Sequence, residues 1–137
     1  MGVISSMSLD QIMTRELQKV DSKTTIQDAA RTMTGRKIGS IFIEEGGELI
    51  GILTEADIRK AVAKGMDMKN ETVTTIMSKP IISVEVHQTP QQVFDLMSDA
   101  GVRHMAVRSG GNIVGLVSVR DLLVFFKKQS EPKMGID

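Results

Sequence analysis

Two stretches of this chain set a hydroxyl and a carboxylate at the same spacing: Gly51-Ile52-Leu53-Thr54-Glu55-Ala56-Asp57 and Gly115-Leu116-Val117-Ser118-Val119-Arg120-Asp121. Each begins in an apolar run and ends in polar residues, so each places its Thr or Ser at a strand-to-helix turn. Two chemistries fit that position. The hydroxyl at a helix N-cap with an acid three residues later is a capping pair, worth about 1 kcal/mol. A carboxylate at such a turn can also accept both hydroxyls of a ribose, while the Thr or Ser hydroxyl and the first-turn N–H groups meet phosphate. A second candidate is the basic pair Arg103-His104 in the apolar run Val102–Val107. A strand alternates faces, so one of the two can point into a cleft. The competing readings are a solvated edge and a satisfied core histidine.

Other chemistries find little support. The chain has two His and no Cys, and it contains no HExxH, GxSxG or P-loop sequence. Neither a thiolate metal site nor a disulfide framework is therefore possible. Gly46-Gly47 and Gly110-Gly111 lack the Lys-Ser/Thr of a phosphate loop and read as turn glycines. Lys+Arg and Asp+Glu number 17 each, without the basic excess of a duplex-binding domain. No apolar run approaches the roughly 18 residues of a membrane helix. No signal peptide is evident, and a reducing, cytoplasmic setting is expected. The start, Met1-Gly2-Val3-Ile4-Ser5-Ser6, matches the loose myristoylation pattern and is read as a chance match. The expectation is a non-catalytic protein.

The elements that position these residues come from an internal repeat. Ile12-Met13 recurs as Ile76-Met77, an offset of 64 (76 minus 12). Without a gap, the same offset pairs Val20 with Val84, Thr25 with Thr89, Met33 with Met97, Gly51 with Gly115 and Asp57 with Asp121. Ile26, Ala29, Ala30 and Met33 share one helix face, with Thr25 as N-cap and Gly35 as the expected stop. In the second copy Thr89 caps, Pro90 takes the first helical position and Gln92 completes a capping box. Two β-rich runs around each Gly-Gly pair read as a hairpin, and helices follow near 55–64 and 119–128. The fold class is thus α+β, two tandem β-α-β-β-α repeats at 9–64 and 73–128. Residues 65–72 read as a polar linker and 129–137 as a disordered tail.

In this order of elements, and in the two Gly-x-x-(Thr/Ser)-x-x-Asp segments, the chain resembles the CBS domain; two in tandem resemble the Bateman module. The resemblance spans about residues 9–128. It implies a pseudo-twofold pair whose clefts bind AMP, ADP, ATP, S-adenosylmethionine or another adenosyl ligand, with a regulatory role toward a partner protein. It implies that Thr54, Asp57, Ser118 and Asp121 contact ligand. Arg103 and His104, with Arg120, would then hold phosphate. Ile81, Ile82 and Leu17, after the Ile-Met pairs, would form apolar walls for the adenine ring. The chain departs from many members in having Phe42 and Ala106 where they have proline. No cofactor is required, though Mg²⁺ can arrive with a polyphosphate. A ligand-free dimerisation or docking scaffold is the alternative.

Two further expectations concern asymmetry and assembly. The first copy has Gly39, Ser40 and Ala56 at the positions of Arg103, His104 and Arg120, so its cleft should hold phosphate poorly. The last helix contains Leu122-Leu123-Val124-Phe125-Phe126, apolar on all sides, which predicts a homodimer through that helix.

Overall fold

The computed structural model describes residues 8–131. The reading of Met1–Ser6 and the last six residues of the expected tail lie outside them. Two three-stranded sheets follow one another. The first contains β1 (Lys19–Asp21), β2 (Ser40–Glu45) and β3 (Glu48–Thr54), with helices α1 (Ile26–Arg36) and α2 (Glu55–Ala63). The second contains β4 (Ser83–Glu85), β5 (His104–Ser109) and β6 (Asn112–Ser118), with α3 (Pro90–Ala100) and α4 (Val119–Ser130). In both, the short leading strand runs parallel to the central one, which pairs antiparallel with the third. The class is α+β, as the residues predict, and the register repeats down to the shift that follows Ile43 and Val107.

Local chemistry accounts for most boundaries. Gly46, Gly47, Gly110 and Gly111 all have positive φ, between 59° and 87°. Positive φ at both central residues is what a type I′ hairpin turn demands. Thr25, Thr54, Thr89 and Ser118 each cap a helix through the side-chain oxygen. Pro90 opens α3, and Gln92 closes the capping box with Thr89.

Two expectations need correction. Gly35 does not stop α1; the helix runs to Arg36 and ends on Lys37 in the left-handed conformation, where the second copy has Gly101. The polar linker at 65–72 is itself tied to α1. The carbonyls of Glu71 and Met68 accept from the N–H groups of Ile26 and Gln27, the orphan donors at the start of α1. In the second copy Pro90 has no N–H to satisfy, so α3 needs one acceptor fewer. Within that segment Asp67 accepts from the Asn70 side chain, which holds its carboxyl below the ordinary value. Finally, α4 continues through Ser130, into the segment read as tail.

The compact units are not the sequence repeats. One, the central unit, comprises Leu17–Ile82; the other, the terminal unit, joins the described residues up to Glu16 to the described residues from Ser83 onward. The leading segments have been exchanged. Leu9 and Met13 lie in the core of the terminal unit with Val84, Val93, Met97 and Leu122. Val73 lies in the core of the central unit with Ala29, Met33, Ile41 and Leu53, and Ile76 and Met77 pack against it. The physical reason is at Gly51 and Gly115. A Cβ on Gly51 would sit 2.5 Å from Met77 Sδ and 3.1 Å from the Ser78 carbonyl; one on Gly115 would sit 2.6 Å from Met13 Sδ and 3.0 Å from the Thr14 carbonyl. Only glycine lets the incoming Ile-Met segment lie on the last strand of the sheet. There Ser78 bridges Ile52 in the central unit and Thr14 bridges Leu116 in the terminal unit.

Candidate functional site

Each hairpin delivers its last residue to a helix start, and the two starts are built alike. In the terminal unit Ser118 ends β6 opposite His104. Its backbone N–H donates to Asp121 Oδ2 at 2.9 Å, and its Oγ accepts from the Asp121 N–H at 3.0 Å. The Val119 N–H donates to the Arg103 carbonyl at 2.9 Å, which ties the basic pair to the helix start. Thus Arg103, His104, Ser118, Arg120 and Asp121 gather at one end of this unit. Both arginines are exposed, and the other three are partly buried.

In the central unit Thr54 ends β3 opposite Ser40. Asp57 Oδ2 accepts from the Thr54 N–H at 2.9 Å and from its hydroxyl at 3.1 Å, and the Asp57 N–H donates back to Thr54 Oγ1 at 3.4 Å. The Glu55 N–H donates to the Gly39 carbonyl at 3.2 Å. Ser40 is buried, and Gly39 and Ala56 stand where the terminal unit has Arg103 and Arg120. Ile81 and Ile82 belong to this unit, three and four residues beyond the Ser78–Ile52 bridge. Ile81 is partly buried and Ile82 is 48% exposed. Leu17 is also in the central unit, beside Gln18, whose carbonyl accepts from the Phe42 N–H.

The capping reading of both motifs is therefore realised. It leaves the other carboxylate oxygen, Oδ1, of Asp57 and Asp121 without a hydrogen bond to the rest of the described chain, and each carboxylate is oriented by its helix start. The expectation that first-turn N–H groups meet phosphate is weakened: two in each helix are already bonded, to a carbonyl and to the capping hydroxyl. Not legible in the sequence is that Thr14 and Ser78, each from the opposite repeat, bridge the third strand at Leu116 and Ile52, two residues before Ser118 and Thr54. The signal for a close approach as such was present in the recurrence of Ile-Met with Gly at one offset, since a bulky residue and a glycine repeated together mark one.

Among the described residues, no group of three or more His, Cys, Asp or Glu is placed to hold a metal ion. No described helix is long and apolar enough to cross a membrane.

Comparison with known proteins agrees with this architecture. The family model for the CBS domain matches residues 9–64 and 73–128. The CBS domain-containing protein YhcV of Bacillus subtilis is 31% identical over 118 residues, covering 85% of this chain and 84% of that protein. A solved protein with CBS domains from Burkholderia ambifaria superposes with a TM-score of 0.85 at 28% identity, covering 93% of this chain and 98% of that one. The CBS domain pair of protein MJ0100, solved in complex with 5′-methylthioadenosine and S-adenosyl-L-methionine, gives 0.79 at 25% identity, covering 90% and 98%. With two matched repeats, two equivalent sheet-and-helix units and capped Asp57 and Asp121 at corresponding helix starts, this chain belongs to the CBS domain family, as a tandem pair.

Proposed function

We propose that this CBS pair is a regulatory module that binds an adenine nucleotide and alters the behaviour of a partner protein, without catalysing a reaction. The observation that carries the reading is the duplicated helix start. Asp57 and Asp121 are each held by a capping box, and among the described residues the second oxygen of each carboxylate has no hydrogen-bond partner, which suits a ligand such as a ribose diol. Arg103, His104 and Arg120 at the same end of the terminal unit are the residues that would hold phosphate. AMP, ADP and ATP are the ligands in view, and a polyphosphate would bring its own Mg²⁺.

S-adenosylmethionine is the second reading, supported by the adenosyl ligands of the MJ0100 pair. We further propose a homodimer. Leu123 and Val124 on α4 are 51% and 44% exposed, large apolar side chains without cover in the single chain.

A thermal-shift panel of AMP, ADP, ATP, S-adenosylmethionine and NAD tests the ligand reading. A ligand at 100 times its dissociation constant adds about 2.7 kcal/mol of stability. No shift with any of them would replace this reading by a ligand-free docking scaffold.

A further inference from the structure

The terminal unit carries two outer stripes that the central unit lacks. Its helices α3 and α4 cover one face of the sheet: Val93 and Met97 from one and Leu122 from the other share a core with Met105, Val107 and Val117. Phe94 meets Phe126 edge-on at 5.7 Å, so the two helices are neighbours and their exposed sides face away from the sheet together. On α4 that side is Arg120, Leu123, Val124, Lys127 and Lys128, spaced i, i+3, i+4, i+7, i+8. On α3 it is Gln92, Asp95, Leu96 and Asp99, spaced i, i+3, i+4, i+7. Every one of these residues is exposed, including the large apolar Leu96, Leu123 and Val124. Helix α3 contains no cation, and the single carboxylate of α4, Asp121, is bonded to Ser118 at its own helix start. Among the described residues, none of Asp95, Asp99, Arg120, Lys127 and Lys128 is in an ion pair. At the offset of 64 the matching positions are Asp28, Arg31, Thr32 and Gly35 along α1, and Ala56, Arg59, Lys60, Ala63 and Lys64 along α2. None of these is a large apolar residue, and Asp28 pairs with Arg31 of its own helix at 3.7 Å.

From these stripes we infer that two copies of the chain meet through their terminal units, α3 of each lying on α4 of the other, with α1 and α2 outside the interface. The inference rests on the homodimer reading and names its surfaces. A twofold contact is self-complementary, so a pairing of α3 with α4 occurs twice. Laying α4 on its own copy would set Arg120, Lys127 and Lys128 against the same three cations. Laying it on α3 offers those cations Asp95 and Asp99, and offers Leu123 and Val124 the side chain of Leu96. An exposed ion pair adds little affinity, but like charges across an interface oppose association. Charge therefore selects which surfaces meet, while apolar burial drives the meeting. Among the described residues, Val62 is the single large apolar side chain exposed on α1 or α2, and it stands outside the matching stripe.

Light scattering on the full chain tests it, with two charge-reversed forms: Asp95→Lys with Asp99→Lys, and Lys127→Glu with Lys128→Glu. Each form should dissociate about tenfold or more readily than the wild type, because attraction becomes repulsion at both copies of the contact. Mixed in equal amounts, the two forms should recover the dimer mass, since acid again meets base in both helix pairs; recovery also shows that both are folded. Val62→Glu should leave the dimer mass unchanged. In the wild type the dissociation constant should rise as salt approaches about 1 M, where the screening length is about 3 Å. A contact of α4 with its own copy would tighten instead. A dimer indifferent to Asp95→Lys with Asp99→Lys, lost in Val62→Glu, or tightened by salt would overturn the inference while leaving the homodimer reading standing. A wild-type monomer at micromolar concentration would overturn both and leave the stripes to a different protein.

Discussion

Asp57 and Asp121 each close a capping box, and the ligand role proposed for the same carboxylate can be separated from that one. Replacing either by Asn keeps an oxygen for the N-cap N–H and removes the charge. Asp121→Asn is therefore expected to lower nucleotide affinity about tenfold or more, at 1.5–3 kcal/mol per charge-assisted bond, with little change in ligand-free melting. Asp121→Ala also loses the capping acceptor and should cost about 1 kcal/mol of stability. Titration and melting of the two variants side by side check this; equal loss of stability in both would reduce the residue to a cap. Lys37 offers a second test at this scale. It holds a left-handed conformation at φ 57°, where its counterpart is Gly101. Lys37→Gly removes a Cβ clash of about 1–2 kcal/mol, less the entropy glycine regains on unfolding. A net gain of about 0.5–1 kcal/mol in denaturant titration is the expected outcome.

At the scale of elements, the close approach of Ile76-Met77 to β3 and of Ile12-Met13 to β6 decides how each sheet is finished. Gly51→Ala and Gly115→Ala should each destabilise the chain by about 1–3 kcal/mol, because the added carbon meets a methionine sulfur and a backbone carbonyl together. The segment at 67–71 gives a pH-dependent readout. The Asn70 hydrogen bond depresses the Asp67 pKa in the folded chain. Its contribution is thus present above the unfolded value of about 3.9 and lost as pH falls through the lower folded value. Protection of the Ile26 and Gln27 amides, whose N–H groups end on Glu71 and Met68, should fall relative to their intrinsic exchange rates in that acid window. In Asn70→Ala it should already be lower at neutral pH.

For the whole molecule, segment exchange predicts which fragments fold. Residues 17–82 contain all of the central core, whereas 9–64 lack Val73, Ile76 and Met77. The first should melt cooperatively by circular dichroism and the second should not; the reverse result would mean that the repeats fold as the sequence divides them. The proposed homodimer has its probe on the exposed side of α4. Leu122 and Phe125 are buried in the core side of α4, and Phe126 packs edge-on against Phe94 at 5.7 Å. A charge at Phe126 would therefore test folding. Val124→Glu should convert a dimer mass to a monomer mass in light scattering without unfolding the chain, whereas a wild-type monomer at micromolar concentration would remove the dimer from consideration.

The amino-acid sequence by itself determined the repeat, the element order, four helix caps, the Gly-Gly turns and the pairing of Thr54 with Asp57 and Ser118 with Asp121. Each depends on residues within a few positions of one another, where propensity and hydrogen bonding act locally. The gathering of Arg103, His104, Ser118, Arg120 and Asp121, the candidate site residues, was legible for the same reason, as they lie on one hairpin and the helix it feeds. Tertiary structure alone decided which leading segment completes which sheet. That outcome puts Ile81 and Ile82 with Thr54 and Asp57, and stitches the 65–72 segment to α1. Ile12-Met13 and Ile76-Met77 are the same pair of residues, so local propensity there does not choose between a sheet in the same repeat and one in the other. The choice rests on contacts across the chain, a methionine lying on a distant glycine and a backbone bridge beside it.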